Sequence, residues 1–262
     1  MRRWCGWQGC SLPPRHEAGA VTTRTADWFA ALDATWPAAR RRQYGPWTLR
    51  EGLGGGQRVS AATLDSDAAP DSIDGAIAAM REIGQGPLFR IGPRPAEQAL
   101  DRDLEGRGFL RRDETVILAA RCDAVAGDPL PPMAAFAVFP PLHIQRLVWM
   151  EAGIGPDRLA VMDRVCLPCT TLLGRNNDRV AGTAFVACAG ETAMLHALEV
   201  PPSKRRQGVG RRLMRLAAHW AMAQQARDIA VAVTLSNAAA LGLYAGLGMA
   251  EVARYHYRHL PG

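Results

Sequence analysis

What most constrains this chain is a thirteen-residue stretch, LEVPPSKRRQGVG, running from Leu198 to Gly210. An apolar strand pattern ends at Val200, and a short loop with Pro201 and Pro202 follows. Then come the basic run Lys204, Arg205 and Arg206 and the pattern Arg205-x-x-Gly208-x-Gly210. Beyond it Val209, Leu213, Leu216 and Trp220 recur at the spacing of one helix face. Strand, basic glycine loop and helix in that order make a cradle for a phosphate-bearing ligand. Glycine has no Cβ, so the backbone can approach a bulky anion closely. A helix N-terminus points unpaired N–H groups at it, and its dipole and the neighbouring arginines favour negative charge. A diphosphate is the natural occupant.

The rest of the chain divides into two halves with the same order of elements. Residues 123–132 are rich in proline and glycine and read as a linker. Before it, helices are expected at 28–42, from Asp71 or Ser72 through Ile83, and at 95–106, with strands at 58–64, 88–91 and 115–120. After it, helices are expected at 142–151, 156–165, 208–223 and 237–247, with strands at 170–173, 180–188, 193–200, 229–235 and 249–257. In both halves strand, helix, strand, helix, a Gly-apolar pair and a last strand follow in turn. Gly108-Phe109 occupies the place of Gly248-Met249.

The cradle resembles the acetyl-CoA motif of the GNAT superfamily of N-acetyltransferases, Q/R-x-x-G-x-G/A between a strand and a helix. The later run Asn237-x-x-Ala240-x-x-Leu243-Tyr244-x-x-Leu247-Gly248-Met249 resembles the family's second element, with Met in place of its usual Phe. The resemblance covers about residues 142–259. It implies an α/β (α+β) protein of two GNAT-like domains, each a mixed, largely antiparallel sheet flanked by helices. The expected bounds are an N-terminal extension at 1–22 open to disorder, a degenerate domain at 23–122, a linker at 123–134 and a catalytic domain at 135–262. The degenerate assignment follows from residues 62–74, which hold Asp65, Asp67, Asp71 and Asp74 and no arginine. Such a loop repels a diphosphate.

Carried over to this sequence, the resemblance implies an N-acetyltransferase with acetyl-CoA as cosubstrate and direct transfer to an amine. The amides of Arg206, Gln207, Gly208, Val209, Gly210 and Arg211, beside Arg205, would bind the CoA diphosphate. Leu198 and Val200 would offer main-chain hydrogen bonds to the pantetheine arm, and Asn237 and Ala240 would line it. Tyr244 would protonate the departing thiolate, a step its phenol can serve. For the base there are two candidates, His196 and Glu199. Strand alternation places them on opposite faces. Many family members carry Glu where Met194 stands, whereas the strand here resembles that of arylalkylamine N-acetyltransferases, in which a His matches His196.

Composition limits the other readings. The net charge is +6 and Lys204 is the only lysine, so the positive charge is nearly all arginine. No aromatic residues interleave with the basic run as a nucleic-acid surface would need. Six cysteines include Cys166 and Cys169 at C-x-x-C spacing, but no second pair completes a zinc set. No run of 18 apolar residues exists and the N-terminus lacks an apolar h-region, so a cytoplasmic location without membrane insertion is expected. Val21 is a possible alternative start. The main alternative function is a non-catalytic CoA-binding sensor or scaffold, which would keep the cradle and not need Tyr244.

Overall fold

The computed structural model describes residues 25–66 and 73–261. The extension at 1–22 and the cap expected at Asp71 or Ser72 lie outside them. In chain order the first half comprises α1 (Thr25–Thr35), β1 (Arg40–Tyr44), β2 (Trp47–Glu51), β3 (Thr63–Leu64), α2 (Ile73–Glu82), β4 (Leu88–Ile91), α3 (Pro95–Gly106) and β5 (Leu110–Arg121). The second comprises α4 (Cys122–Ala126), β6 (Ala135–Val138), α5 (His143–Glu151), α6 (Pro156–Asp163), β7 (Cys169–Asn176), β8 (Arg179–Ala189), β9 (Thr192–Glu199), α7 (Val209–Ala223), β10 (Asp228–Thr234), α8 (Ala238–Ala245) and β11 (Ala250–His259).

Three expectations are corrected. The helix expected at 28–42 stops at Thr35, because Pro37 cannot continue it and disfavours helical backbone just before it. Arg40–Tyr44 is instead an exposed edge strand paired with β2. Arg58, expected in a strand, sits in a single 3-10 turn, Gln57–Val59, and only Thr63–Leu64 pair as β3. The expected linker opens as a helix: Cys122, Val125 and Ala126 of α4 are buried in the same core as α7.

The architecture is a mixed, mostly antiparallel sheet flanked by helices. Its order is β4-β11-β5-β10-β9-β8-β7-β6, and within it only β9 and β10 run parallel. β1, β2 and β3 form a second small sheet, which touches β4 through a parallel bridge between Ala62 and Phe89. Each half thus runs β-β-β-α-β-α-β, from β1 to β5 and from β7 to β11. The last strands are exchanged. β5 of the first half pairs with β10 of the second, β11 of the second pairs with β4 of the first, and β5 and β11 pair with each other between them. One sheet therefore runs through both halves.

Alternation along the strands sorts the apolar residues into two layers. Leu172, Val186, Leu195 and Val231 face α4, α7 and Tyr244 of α8. On the opposite face Met194, Ala230 and Tyr255 meet α1, while Phe185 and Ala187 meet Trp36, Trp149 and Val161. Gly182 lets α7 close onto β8. A Cβ there would lie 2.9 Å from the Glu199 carbonyl oxygen and 3.0 Å from Val209 Cγ1.

Candidate active site

β9 and β10 pair only over Thr192 to Leu195 and Asp228 to Val231. Beyond that the two parallel strands part, and the β10 edge of β9 from His196 to Glu199 has no ladder partner. A bulge helps to open the gap. Opposite β8, Glu199 aligns with Thr183 and His196 with Phe185, so β9 carries one extra residue. Ala197 adopts φ 50°, and its carbonyl accepts a hydrogen bond from Trp149 Nε1 at 2.8 Å. The extra residue resets the alternation. His196 and Glu199, expected on opposite faces, share the face covered by α1 and α5.

The cradle lies where β9 hands over to α7. Arg206 has φ 61° and Gly208 φ 75°, left-handed turns that aim successive amides to one side. No side chain caps α7 at Gly208. Among the described residues, the amides of Arg206, Gln207, Gly208, Val209, Gly210 and Arg211 find no backbone acceptor, and the first helical bond is Arg212 N–H to the Gly208 carbonyl. A helix start with six idle donors and no cap is built for an external anion. A side chain at Gly210 would press on Leu243 of α8 at 3.0 Å, so glycine keeps α7 close to the helix that carries Tyr244.

The basic side chains mostly brace this loop. Arg205 donates to the Val200 carbonyl at 2.9 Å and pairs with Glu199 at 3.3 Å. Arg211 donates to the Gly246 carbonyl at the end of α8, and Arg212 to the carbonyls of Gln207 and Arg175. Gln207 joins Asn176 of the β7–β8 turn. Leu198 and Val200 rest half-buried on the α7 core, with Ala240 beside them. Asn237 Oδ1 caps α8 by accepting the Ala240 amide at 3.1 Å. Tyr244 is buried, and its hydroxyl makes no hydrogen bond among the described residues. Burial pushes its pKa up, so the phenol stays protonated.

On the opposite face a cleft of about 390 Å³ opens at the parting of the strands. The second half supplies Ala197, Ala232 and Thr234 at the gap, Ile154 and Arg158 from the α5–α6 region, and Tyr255 and Tyr257 of β11. The first half supplies Trp36 and the loop carrying Gly55, Gly56 and Arg58. In the sequence Trp36 reads as part of a helix face and Arg58 as the start of a strand, and neither they nor the glycine loop are expected in the site. The run of glycines around Arg58, at 52 and 54–56, was the available signal. Its reason is close packing: a Cβ at Gly54 would meet Asp157 Oδ2 at 2.3 Å, and one at Gly55 would meet Val161 Cγ2 at 2.6 Å.

His196 reaches this cleft; Tyr244 does not line it. The Thr35 hydroxyl donates to the Ala31 carbonyl at 2.7 Å, so it accepts from His196 Nε2–H at 2.9 Å. Nδ1 is then the acceptor for Arg58 Nη1 at 3.1 Å. Burial, and then the Arg58 charge, hold the imidazole well below its ordinary pKa and keep it neutral. Trp36 lies against its ring at 4.9 Å. Cys169 begins β7 and packs on the core that holds Trp36, exposed Cys166 precedes it, and neither lines the cleft; burial pushes the Cys169 thiol up to about 11. No helix among the described residues is long and apolar enough to cross a membrane.

Residues 147–249 match the model of the Acetyltransferase (GNAT) family. The uncharacterized N-acetyltransferase YobR of Bacillus subtilis (strain 168) is 24% identical over 236 residues, 86% of this chain and 94% of its own. An aminoglycoside N(6')-acetyltransferase type 1 of Klebsiella aerogenes is 38% identical over 66 residues, 25% of this chain and 43% of that one. A GCN5-related N-acetyltransferase from Kribbella flavida superposes with a TM-score of 0.63 over 91% of this chain and 96% of that one, at 19% identity, a likeness of fold.

Proposed function

We infer the reaction from a match and a geometry: residues 147–249 match the GNAT acetyltransferase family, and the geometry around them suits transfer of an acetyl group from acetyl-CoA to an amine by direct attack. The observation that carries this reading is the set of six unpaired amides, 206–211, at an uncapped helix start beside two parting strands. The amides would hold the diphosphate. The gap between β9 and β10 would take the pantetheine arm, with main chain from Leu198 offered to it. The Val200 carbonyl is already used by Arg205, so its part in that contact is smaller than the sequence suggested. Acetyl-CoA supplies the activated acyl group. Tyr244, a buried phenol with an unused hydroxyl, donates the proton the thiolate needs. The amine enters from the other face through the cleft lined by Trp36 and Ala197.

The amine must lose its proton to His196 or Glu199, directly or through water. His196 lines the cleft but turns its lone pair to Arg58, so it can act as base only when an acceptor displaces that contact. Glu199 is tied to Arg205. This engagement of both candidates favours a second reading, a CoA-binding sensor without turnover. The first half, with the same order of elements and no basic loop, is proposed as a degenerate GNAT-like domain, and the whole as a tandem of two.

Calorimetric titration of acetyl-CoA tests the cradle. Wild type should bind, and an Arg206→Glu, Gly208→Asp double variant that keeps its circular dichroism should not. Absence of binding by wild type would remove both readings.

A further inference from the structure

We propose that the acceptor is a primary amine that also carries a carboxylate, of the α-amino acid class, and that Arg58 and Arg158 receive that carboxylate in the cleft between the two halves. This rests on the acetyl-transfer reading and adds the chemical class of the acceptor.

The charge of the cleft is lopsided. Its lining holds Arg58, Arg112 and Arg158 against the single acid Asp113. Arg112 and Asp113 lie 3.5 Å apart and offset each other. Neither Arg58 nor Arg158 has a carboxylate partner among the described residues. Arg58 is the more telling. Its Nε is buried with no hydrogen-bond partner, and its Nη1 leans on a neutral imidazole nitrogen. Its other neighbour is the neutral phenol of Tyr255. A buried guanidinium nitrogen left without an acceptor costs free energy that an incoming anion returns. Guanidinium offers a planar pair of donors that fits a carboxylate.

The geometry puts the two arginines side by side. The glycine loop crosses directly over Arg158: a Cβ at Gly56 would sit 3.5 Å from its Nε and Nη2. Two residues later the same loop presents Arg58 to His196, the neighbour of the bulged Ala197 in β9. A carboxylate at Arg58 therefore leaves the adjoining amine at the mouth of the strand gap, where the acyl group is expected. Trp36, Ile154, Tyr255 and Tyr257 supply apolar wall for a side chain. A volume of about 390 Å³ lies near the lower end of small-molecule sites, which span roughly 300–1,000 Å³. A polycation such as an aminoglycoside would bring its ammonium groups against two uncompensated arginines.

The test measures CoA release with acetyl-CoA and four sets of acceptors: L-amino acids, their α-amides, the corresponding decarboxylated amines, and an aminoglycoside, with O-phosphoethanolamine as a phosphate control. Calorimetry of the same compounds on the full chain runs in parallel. At least one amino acid should exceed its own amide by roughly tenfold or more in kcat/KM, the scale of a lost charged contact. The difference should lie in KM. Arg158→Ala, on an exposed part of α6, should shrink that ratio at least threefold through KM for the acid. It is the safer probe, since Arg58 is packed against His196. Equal or better transfer to amides, decarboxylated amines, the aminoglycoside or the phosphate control overturns the carboxylate assignment and leaves the transferase reading standing. Calorimetric binding of acids that Arg158→Ala weakens, with no transfer to anything, keeps the assignment and overturns the transferase reading. Neither transfer nor binding of any acid overturns the assignment.

Discussion

Asp33 shows how much one side chain can hold. It accepts from Arg50 at 2.7 Å and from Arg90 at 2.6 Å, all three well shielded from water. Burial alone would raise its pKa, but the two guanidinium groups outweigh that and bring it to about 2. Its folded value is depressed, so its stabilisation is present above the unfolded carboxylate value of about 4 and is lost as pH falls toward about 2. Asp33→Ala leaves two buried cations and should cost about 3–5 kcal/mol in urea unfolding at neutral pH. The gap from wild type should narrow, by about 2.5 kcal/mol, as pH falls from about 4 to about 2. A gap that does not change with pH counts against the ion triad. Tyr244→Phe should lower kcat by about 10²–10⁴ and leave acetyl-CoA affinity in calorimetry unchanged. Unchanged kcat would release Tyr244 from its acid role. Tyr244 is a candidate the sequence can offer, because a motif with fixed spacing flanks it. Arg58 could not, because its importance comes from a neighbour 138 positions away.

Among elements, the ones easiest to read were those with strong periodicity and clear punctuation. α2 and α7 lie where Ile73, Ile77 and Met80 and the Val209 series place them, β4 lies at the apolar run 88–91, and α3 where Leu100 and Leu104 place it. β1 was invisible: RRRQY has no alternation because the strand is exposed nearly throughout. The β9 bulge was also invisible, since nothing in MLHALEV marks Ala197 as the extra residue. That single insertion reversed the facing of Glu199 relative to His196. Gly182, at a β8 position that approaches α7, tests the packing beneath the cradle. Gly182→Ala would drive a Cβ against the Glu199 carbonyl and Val209, and should cost about 1–3 kcal/mol in thermal unfolding. Because Val209 begins the cradle helix, acetyl-CoA binding should weaken in the same variant. Wild-type stability would mean that α7 yields more freely than its packing suggests.

Across the whole molecule the repeated order of elements was legible, and the exchange of strands was not. Pattern along a chain reports which face of a strand is apolar, and a strand paired within its own half has the same pattern as one paired across. The sheet therefore crosses the boundary expected near residue 122. A fragment of residues 135–261 lacks β5, which lies between β10 and β11. It would expose two bare strand edges. Expressed alone it should aggregate or lack a cooperative melt, and co-expression with residues 1–134 should restore a soluble complex. A fragment that melts cooperatively by itself would show that β10 and β11 can close the gap without β5.

The exchange also sets an order of events on the ribosome. β4 and β5 emerge early, yet the strand that belongs between them, β11, is made after every other element described. The first half of the nascent chain must wait with two open edges through synthesis of the second. Speed of translation past residue 121, and chaperones that shield those edges, then bear directly on how much of this protein reaches its native state.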